Sequence, residues 1–332
     1  MTLVTSLPSF LLELDMARTL LLAAAAALLA VPALAGDAPE FGDVAQALIW
    51  ARTRAAAMPS SPAKAPPAPR LPDDPWRRVK SPSAGAARSI GRPDAGCLAG
   101  ASTLPLSGPG FEVMRPSRRR FFGHPRLIAF LDALGRGASA AGLGTLLVGD
   151  LGQPRGGPTL SGHASHQTGL DVDVWYRQWP AGSPLSDSQR ETLSSPSMVV
   201  PDFERLNASW NPNELEILHL AASDAAVERI FVNPVIKKAA CAVHAGAPWL
   251  GKLRPWWGHD DHFHARLACD PQDTLCVSGA DPIPAGDGCG AALDAWLSPA
   301  SKAEAKRQRT ETSKPPTMPV LPPECRQVLA AP

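Results

Sequence analysis

The chain has 332 residues, with 32 Lys and Arg against 31 Asp and Glu, a formal net charge of +1. That balance excludes the basic surplus that binding to a nucleic-acid polymer needs, and the length suffices for one or two domains with a buried core. The 36 prolines concentrate towards the two ends, so the fold is expected between them.

Residues 1–35 read as an export signal. Arg18 precedes an apolar run over residues 20–31, and Ala33-Leu34-Ala35 supplies a small-x-small cleavage site. The run is short for a membrane span, so no stable membrane insertion is expected after cleavage. Glu13 and Asp15 are acidic where a positive segment belongs, which places the expected translation start at Met16. No cysteine follows the cleavage site, so no lipid anchor is expected there. Residues 36–74 are rich in Ala, Pro and Ser around Pro66-Pro67-Ala68-Pro69 and read as a linker.

A single α+β catalytic domain is expected over 75–297. Leu127, Ile128, Leu131 and Leu134 recur at helical spacing and predict a helix over 125–141, stopped by Gly142. A buried strand is expected over 143–148, then a Gly/Pro-rich loop over 150–157. Residues 170–175 alternate apolar and acidic and predict a strand. A helix over 213–227, a strand over 229–232 and a helix over 234–243 follow, and 262–267 alternates again. Half-polar strands mixed with helices imply a central antiparallel sheet flanked by helices. The tail from 298 reads as Pro/Lys-rich and irregular as far as Cys325.

Five of the eight histidines fall in two clusters. The first is Ser161-Gly162-His163-Ala164-Ser165-His166-Gln167-Thr168-Gly169-Leu170-Asp171-Val172-Asp173; the second is His259-Asp260-Asp261-His262-Phe263-His264-Ala265-Arg266. Alternation along a strand puts His262, His264 and Arg266 on one face and Phe263, Ala265 and Leu267 on the other; Asp171 and Asp173 likewise share a face. Two imidazoles and a carboxylate form the ligand set of an open zinc site. His166, Asp173 and His264 are the expected ligands of one Zn2+ per chain. Asp171 shares the face of Asp173 and is the alternative, or orients a histidine from behind. No H-E-x-x-H occurs, so no glutamate stands ready as base; His262 is the candidate base, with His259 polarising water or stabilising an oxyanion. His163 is either a site-edge hydrogen bonder or a plain loop residue. Asp260 and Asp261 read as loop acids or as carboxylates that support a site residue from behind, and His124, His219 and His244 as structural. Arg118, Arg119 and Arg120 are a solvated basic face or an attractor for a carboxylate-bearing peptide. Trp256 and Trp257 are core residues or a groove wall.

The spacing from His166 to Asp173, followed far downstream by His262-Phe263-His264, resembles the zinc motifs shared by lysostaphin, D-Ala-D-Ala peptidases and hedgehog. SGHASHQTGLDVD, RIFVNP (residues 229–234), LRPW, GDGCG (residues 286–290), PWRRVKSP and RRRFFGHP are more closely similar to penicillin-insensitive murein endopeptidases. The resemblance implies a periplasmic zinc endopeptidase that cuts D-alanyl–meso-diaminopimelyl cross-links in peptidoglycan, with the first histidine of H-x-H as base. A D,D-carboxypeptidase on stem peptides and a zinc-stabilised wall-binding module are the alternatives. It also implies the disulfides Cys97–Cys325, Cys241–Cys289 and Cys269–Cys276; six cysteines allow fifteen pairings by spacing alone, and export favours oxidation.

Overall fold

In a computed structural model, residues 74–159, 164–279, 285–310 and 318–332 are described. The expected export signal, nearly all of the expected linker, and His163 lie outside them. A short helix α1 (Pro75–Arg78) is capped by Asp74, whose side chain accepts from the N–H of Trp76 and Arg77. A hairpin of β1 (Arg88–Arg92) and β2 (Ala95–Ala99) follows, then β3 (Ser102–Thr103), β4 (Ser107–Gly108), β5 (Phe111–Val113) and β6 (Phe122–Gly123).

Helix α2 (Pro125–Ala140) begins with proline at its first position, where the missing N–H costs nothing. Leu127, Phe130, Leu131, Leu134 and Ala138 form its buried stripe. After it come β7 (Leu146–Val148), β8 (Asp171–Trp175), α3 (Asp187–Thr192), α4 (Asn213–Ser223), β9 (Val227–Val232), α5 (Pro234–His244), β10 (Leu253–Pro255) and β11 (His262–Leu267). Three helices close the chain: α6 (Ala291–Trp296), α7 (Pro299–Thr310) and α8 (Glu324–Ala330).

The fold is α+β, but the main sheet is mixed rather than antiparallel. Its seven strands run β10-β9-β11-β8-β7-β5-β4. The pairs β10/β9 and β5/β7 are parallel. Each parallel pair is joined by a crossover containing a helix, α5 or α2, because a hairpin cannot return a strand in the same direction. The middle pairs β9/β11, β11/β8 and β8/β7 are antiparallel. Beneath them Val172, Val174, Phe263 and Ala265 are fully buried in the principal core. Full burial of a Val or Phe contributes roughly 1.5–3 kcal/mol, which offsets the cost of the charged residues on the opposite face.

Three expected boundaries shift. The helix predicted over 213–227 ends at Ser223, because Asp224 turns the chain by accepting from the N–H of Ala226 at 2.7 Å. The strand expected over 143–148 starts at Leu146. The tail expected to be irregular as far as Cys325 contains α7; Ser298 Oγ accepts from the N–H of Ser301, and proline occupies the first position of α7. A smaller core joins Trp76, Ile90, Cys97, Ala99, Cys325 and Val328, so α8 packs with the β1–β2 hairpin. The disulfides are Cys97–Cys325, Cys241–Cys289 and Cys269–Cys276. Among the described residues no helix is long and apolar enough to cross a membrane.

Candidate metal centre

Register brings the two histidine clusters together. On the antiparallel pair β8/β11, His264 lies opposite Asp173, Arg266 opposite Asp171, and His262 opposite Trp175. Residues directly opposite on one face are near neighbours, so Asp173 meets His264 and Asp171 meets Arg266, while His262 faces Trp175. His166 arrives from the loop before β8 with φ 69°, a left-handed backbone that histidine rarely adopts. The loop is held in that shape from outside. Gly96 N–H donates to Gln167 Oε1 at 3.1 Å, Ser89 Oγ to Thr168 O at 2.8 Å, and Gln167 N–H to Pro93 O at 3.2 Å.

Donor atoms of His166, Asp173 and His264 all lie within 4.8 Å of one another, and the three residues are buried. His166 Nε2 is 3.4 Å from Asp173 Oδ1, and His264 Nδ1 is 3.3 Å from the same oxygen. Ligands at about 2.0–2.1 Å from a tetrahedral zinc sit about 3.3 Å apart, so the spacing fits three ligands of one ion. The donor set of imidazole, imidazole and carboxylate fits too.

Asp171 is engaged elsewhere. Its Oδ1 meets His264 Nε2 at 2.7 Å and accepts from Arg266 Nε at 2.6 Å. It therefore stands behind His264, fixing the ring so that Nδ1 faces Asp173. Burial opposes ionisation of Asp171, but Arg266 and His264 outweigh it and hold the carboxyl well below the usual range. Burial likewise opposes ionisation of Asp173, and His166 and His262 outweigh it.

His262 Nε2 lies 3.6 Å from Asp173 Oδ1, while Nδ1 meets Asp261 Oδ1 at 2.5 Å. Burial would lower its pKa, yet Asp173 and Asp261 together raise it to about 9. A cation at the triad would oppose the pull of Asp173. His259 is pushed the other way, to about 3, by burial and then by His262 and His264. Its ring centroid is 5.2 Å from that of His262 and 5.9 Å from that of His264. A left-handed backbone, φ 47°, sets its direction, and Asn233 secures the turn: Asn233 N–H donates to His259 O, and Asn233 Nδ2 to Gly258 O.

Two clefts flank the group. One, of about 550 Å3, is lined by His259, His264, Trp256, Arg229 and Arg266 among others. Trp256 is 48% exposed, so it belongs to the groove wall; Trp257 also lines the cleft while packing against Phe203 and donating to Ser301 Oγ. The other, of about 250 Å3, is lined by Asp173, His262, Asp261, Asp150 and Arg115 among others.

Several expected roles change in detail. Asp261 is a partner of His262, not merely a loop acid. Asp260 is tied to Ser197 Oγ, and its carbonyl accepts from Met198 N–H. Arg118 and Arg120 converge on buried Asp150 at 3.0 and 2.9 Å instead of forming one solvated face. His124 caps α2 by accepting from Arg126 N–H, and His219 and His244 pack on Trp249. Sequence reasoning missed Asp150 and Arg115, which no local pattern marks, and met Arg229 only as the first residue of RIFVNP.

The family model for penicillin-insensitive murein endopeptidases matches residues 89–330. A penicillin-insensitive murein endopeptidase of Haemophilus influenzae is 42% identical over 264 residues, 77% of this chain and 88% of that protein. Proteins of the same description from Klebsiella pneumoniae and Escherichia coli are each 42% identical, over 77% of this chain and 90% of theirs. With the motifs of both histidine clusters inside the matched span, the chain belongs to the penicillin-insensitive murein endopeptidase family.

Proposed function

We propose that the chain is an exported, periplasmic zinc metalloendopeptidase that hydrolyses D-alanyl–meso-diaminopimelyl cross-links of peptidoglycan. The observation that carries the reading is the buried triad of His166, Asp173 and His264 with its 3.3–3.4 Å donor spacing, set beside a histidine held by its own carboxylate. The names of the relatives supply the substrate class.

His166 Nε2, Asp173 Oδ1 and His264 Nδ1 would hold the zinc. When bound, it supplies Lewis acidity towards the scissile carbonyl and an acidified water as nucleophile. His262 moves the proton: Asp261 accepts from Nδ1–H, which leaves Nε2 to take a proton from water and hand it to the leaving nitrogen. His259, kept neutral by its buried position among other imidazoles, donates to the developing oxyanion. Asp171 holds His264 in the required tautomer, with Arg266 fixing Asp171. No step uses a serine nucleophile, so a β-lactam has nothing to acylate.

The test is digestion of purified cross-linked muropeptide dimers by the mature chain, with and without a chelator, read by mass spectrometry. Chelator-sensitive conversion of dimers to monomers supports the reading. Release of free D-alanine from un-cross-linked stems, with dimers intact, replaces it with a carboxypeptidase. Zinc binding with neither product leaves a binding module.

A further inference from the structure

The cations of the two clefts differ in their partners. On the Trp256 side, Arg92 is paired with Asp94 at 2.6 Å and Arg266 with Asp171 at 2.6 Å. On the His262 side, Asp150 takes both Arg118 and Arg120. Arg115 lines that same cleft and meets none of these acids. Its guanidinium carbon lies 5.7 Å from the centroid of the Trp175 ring, and its Nε is buried with no hydrogen-bond partner. The carboxyl of Glu191 feels Arg115, but its oxygens accept from Ser117 N–H and Oγ at 2.8 and 2.7 Å.

The backbone there is strained. Arg115 has φ 54° and Arg119 φ 56°, one on each side of the 3-10 turn Pro116–Arg118. Side-chain-bearing residues are disfavoured in that region, and the conformation survives only where surroundings impose it. Here Arg115 N–H donates to Arg190 O at 3.0 Å, and buried Arg190 is itself anchored on the carbonyls of Leu106 and Val113. The strain turns Arg115 towards the cleft that holds His262.

We propose that Arg115 recognises a carboxylate of the substrate on the leaving-group side of the metal. The proposal rests on the endopeptidase reading for the identity of that substrate. If His262 protonates the leaving nitrogen, the amine half of the cross-link lies in the His262 cleft. In a D-alanyl–diaminopimelyl bond, the carbon that bears the leaving nitrogen also bears a carboxylate. A guanidinium stacked on an indole, with donors left over, is a preorganised partner for a planar anion. Both features sit in a cleft with room for one residue of the peptide.

The test uses the zinc-loaded mature chain and the amine-side product, L-alanyl-γ-D-glutamyl-meso-diaminopimelate, in its acid form and with the carboxylate beside the freed amine converted to an amide. Binding is read by calorimetry. Wild type is expected to bind the acid form at least about tenfold more tightly than the amide, as a charge-assisted hydrogen bond implies. Arg115→Asn, chosen because asparagine tolerates a left-handed backbone, should lose that preference and bind both forms alike; Arg115→Lys should recover part of it. Equal binding of the two forms by wild type overturns the proposal without any variant. A loss in Arg115→Asn that is the same for both forms also overturns it, since it marks a structural role. Dimer cleavage is assayed in parallel. Uncut dimers with the preference intact would sink the endopeptidase reading and leave the carboxylate site; cut dimers without the preference would do the reverse.

Discussion

Two buried acids show how differently one chemical group is used in this fold. Asp171 is fully buried but sits between His264 Nε2 and Arg266 Nε, and Arg266 lies opposite Arg229 on β9. Its charge therefore serves both the ring that faces Asp173 and the guanidinium of Arg266. Asp171→Asn keeps the shape and removes the charge. We expect metal affinity to fall roughly 10–100-fold, the usual effect of losing a partner behind a ligand, measured by competition with a chelator. Unchanged affinity would reduce Asp171 to a counterion for Arg266. Glu214 on α4 is the opposite case. It is 1% exposed, accepts one hydrogen bond from Gln178 Nε2 at 2.9 Å, and its Oε2 has no partner. Burial pushes its carboxyl well above the usual range, only partly opposed by Gln178. A raised folded pKa means its contribution to stability is intact below the unfolded value of about 4.3 and is lost as pH climbs towards the folded one. Glu214→Gln keeps the acceptor without the titration. The difference in melting temperature, variant minus wild type, should be small near pH 4 and grow as pH rises above the unfolded value; a difference flat with pH would refute the assignment.

At the scale of elements, Asn233 links a helix cap to the candidate oxyanion donor. Its Oδ1 accepts from Val235 N–H at the start of α5, while its Nδ2 and N–H fix Gly258 and His259. Asn233→Ala loses the cap, worth about 0.5–2 kcal/mol, together with the bond to the carbonyl of exposed Gly258. A fall in melting temperature of roughly 1–8 °C is expected at about 2–4 °C per kcal/mol. Asn233→Asp retains the cap and should recover part of the loss; equal melting of the two variants would show that the cap is not what matters. Elements of this length also explain what the sequence could reveal. Asp171 to Trp175 and His262 to Leu267 were readable as strands because period-two alternation survives over five or six residues. Their mutual register, with His264 opposite Asp173, was not readable, because alternation assigns faces within a strand but not partners across strands. The parallel edges were not readable: Leu253–Pro255 and Phe111–Val113 are three residues each, too short to carry a period, and pairing direction is settled by the crossover helices. Helix α7 was misread because its prolines and charges suggest a solvated tail, whereas Ser298, Pro299 and the run of Ala, Lys, Glu and Arg are good capping and helix-forming choices. Arg115 and Asp150 acquire meaning only from a cleft that folding creates.

Across the whole molecule, the two ends of the described chain brace the loop that carries His166. The β1–β2 hairpin bonds that loop through Ser89, Pro93 and Gly96. The hairpin is tied to α8 by Cys97–Cys325, a separation of 228 residues. Arg155, just before the His166 loop, donates to the carbonyls of Ser81, Val328 and Leu329. Gly156 then passes so close that a Cβ there would meet Gln167 O at 1.9 Å. An L-histidine in a left-handed conformation needs such reinforcement, because the loop alone gains nothing from the strain. Removing the Cys97–Cys325 bond by paired serine substitutions should destabilise the protein by about 2–5 kcal/mol, the range for a bridge closing a very long loop. It should also speed the loss of metal to a chelator, since His166 is the proposed donor whose backbone the hairpin supports. The matched control is paired substitution of Cys241 and Cys289, which join α5 to the loop before α6, 48 residues apart. That variant should melt earlier while releasing metal at close to the wild-type rate. Equal release rates from both variants would mean that the His166 loop is held by its own hydrogen bonds, and that the terminal strap serves stability alone.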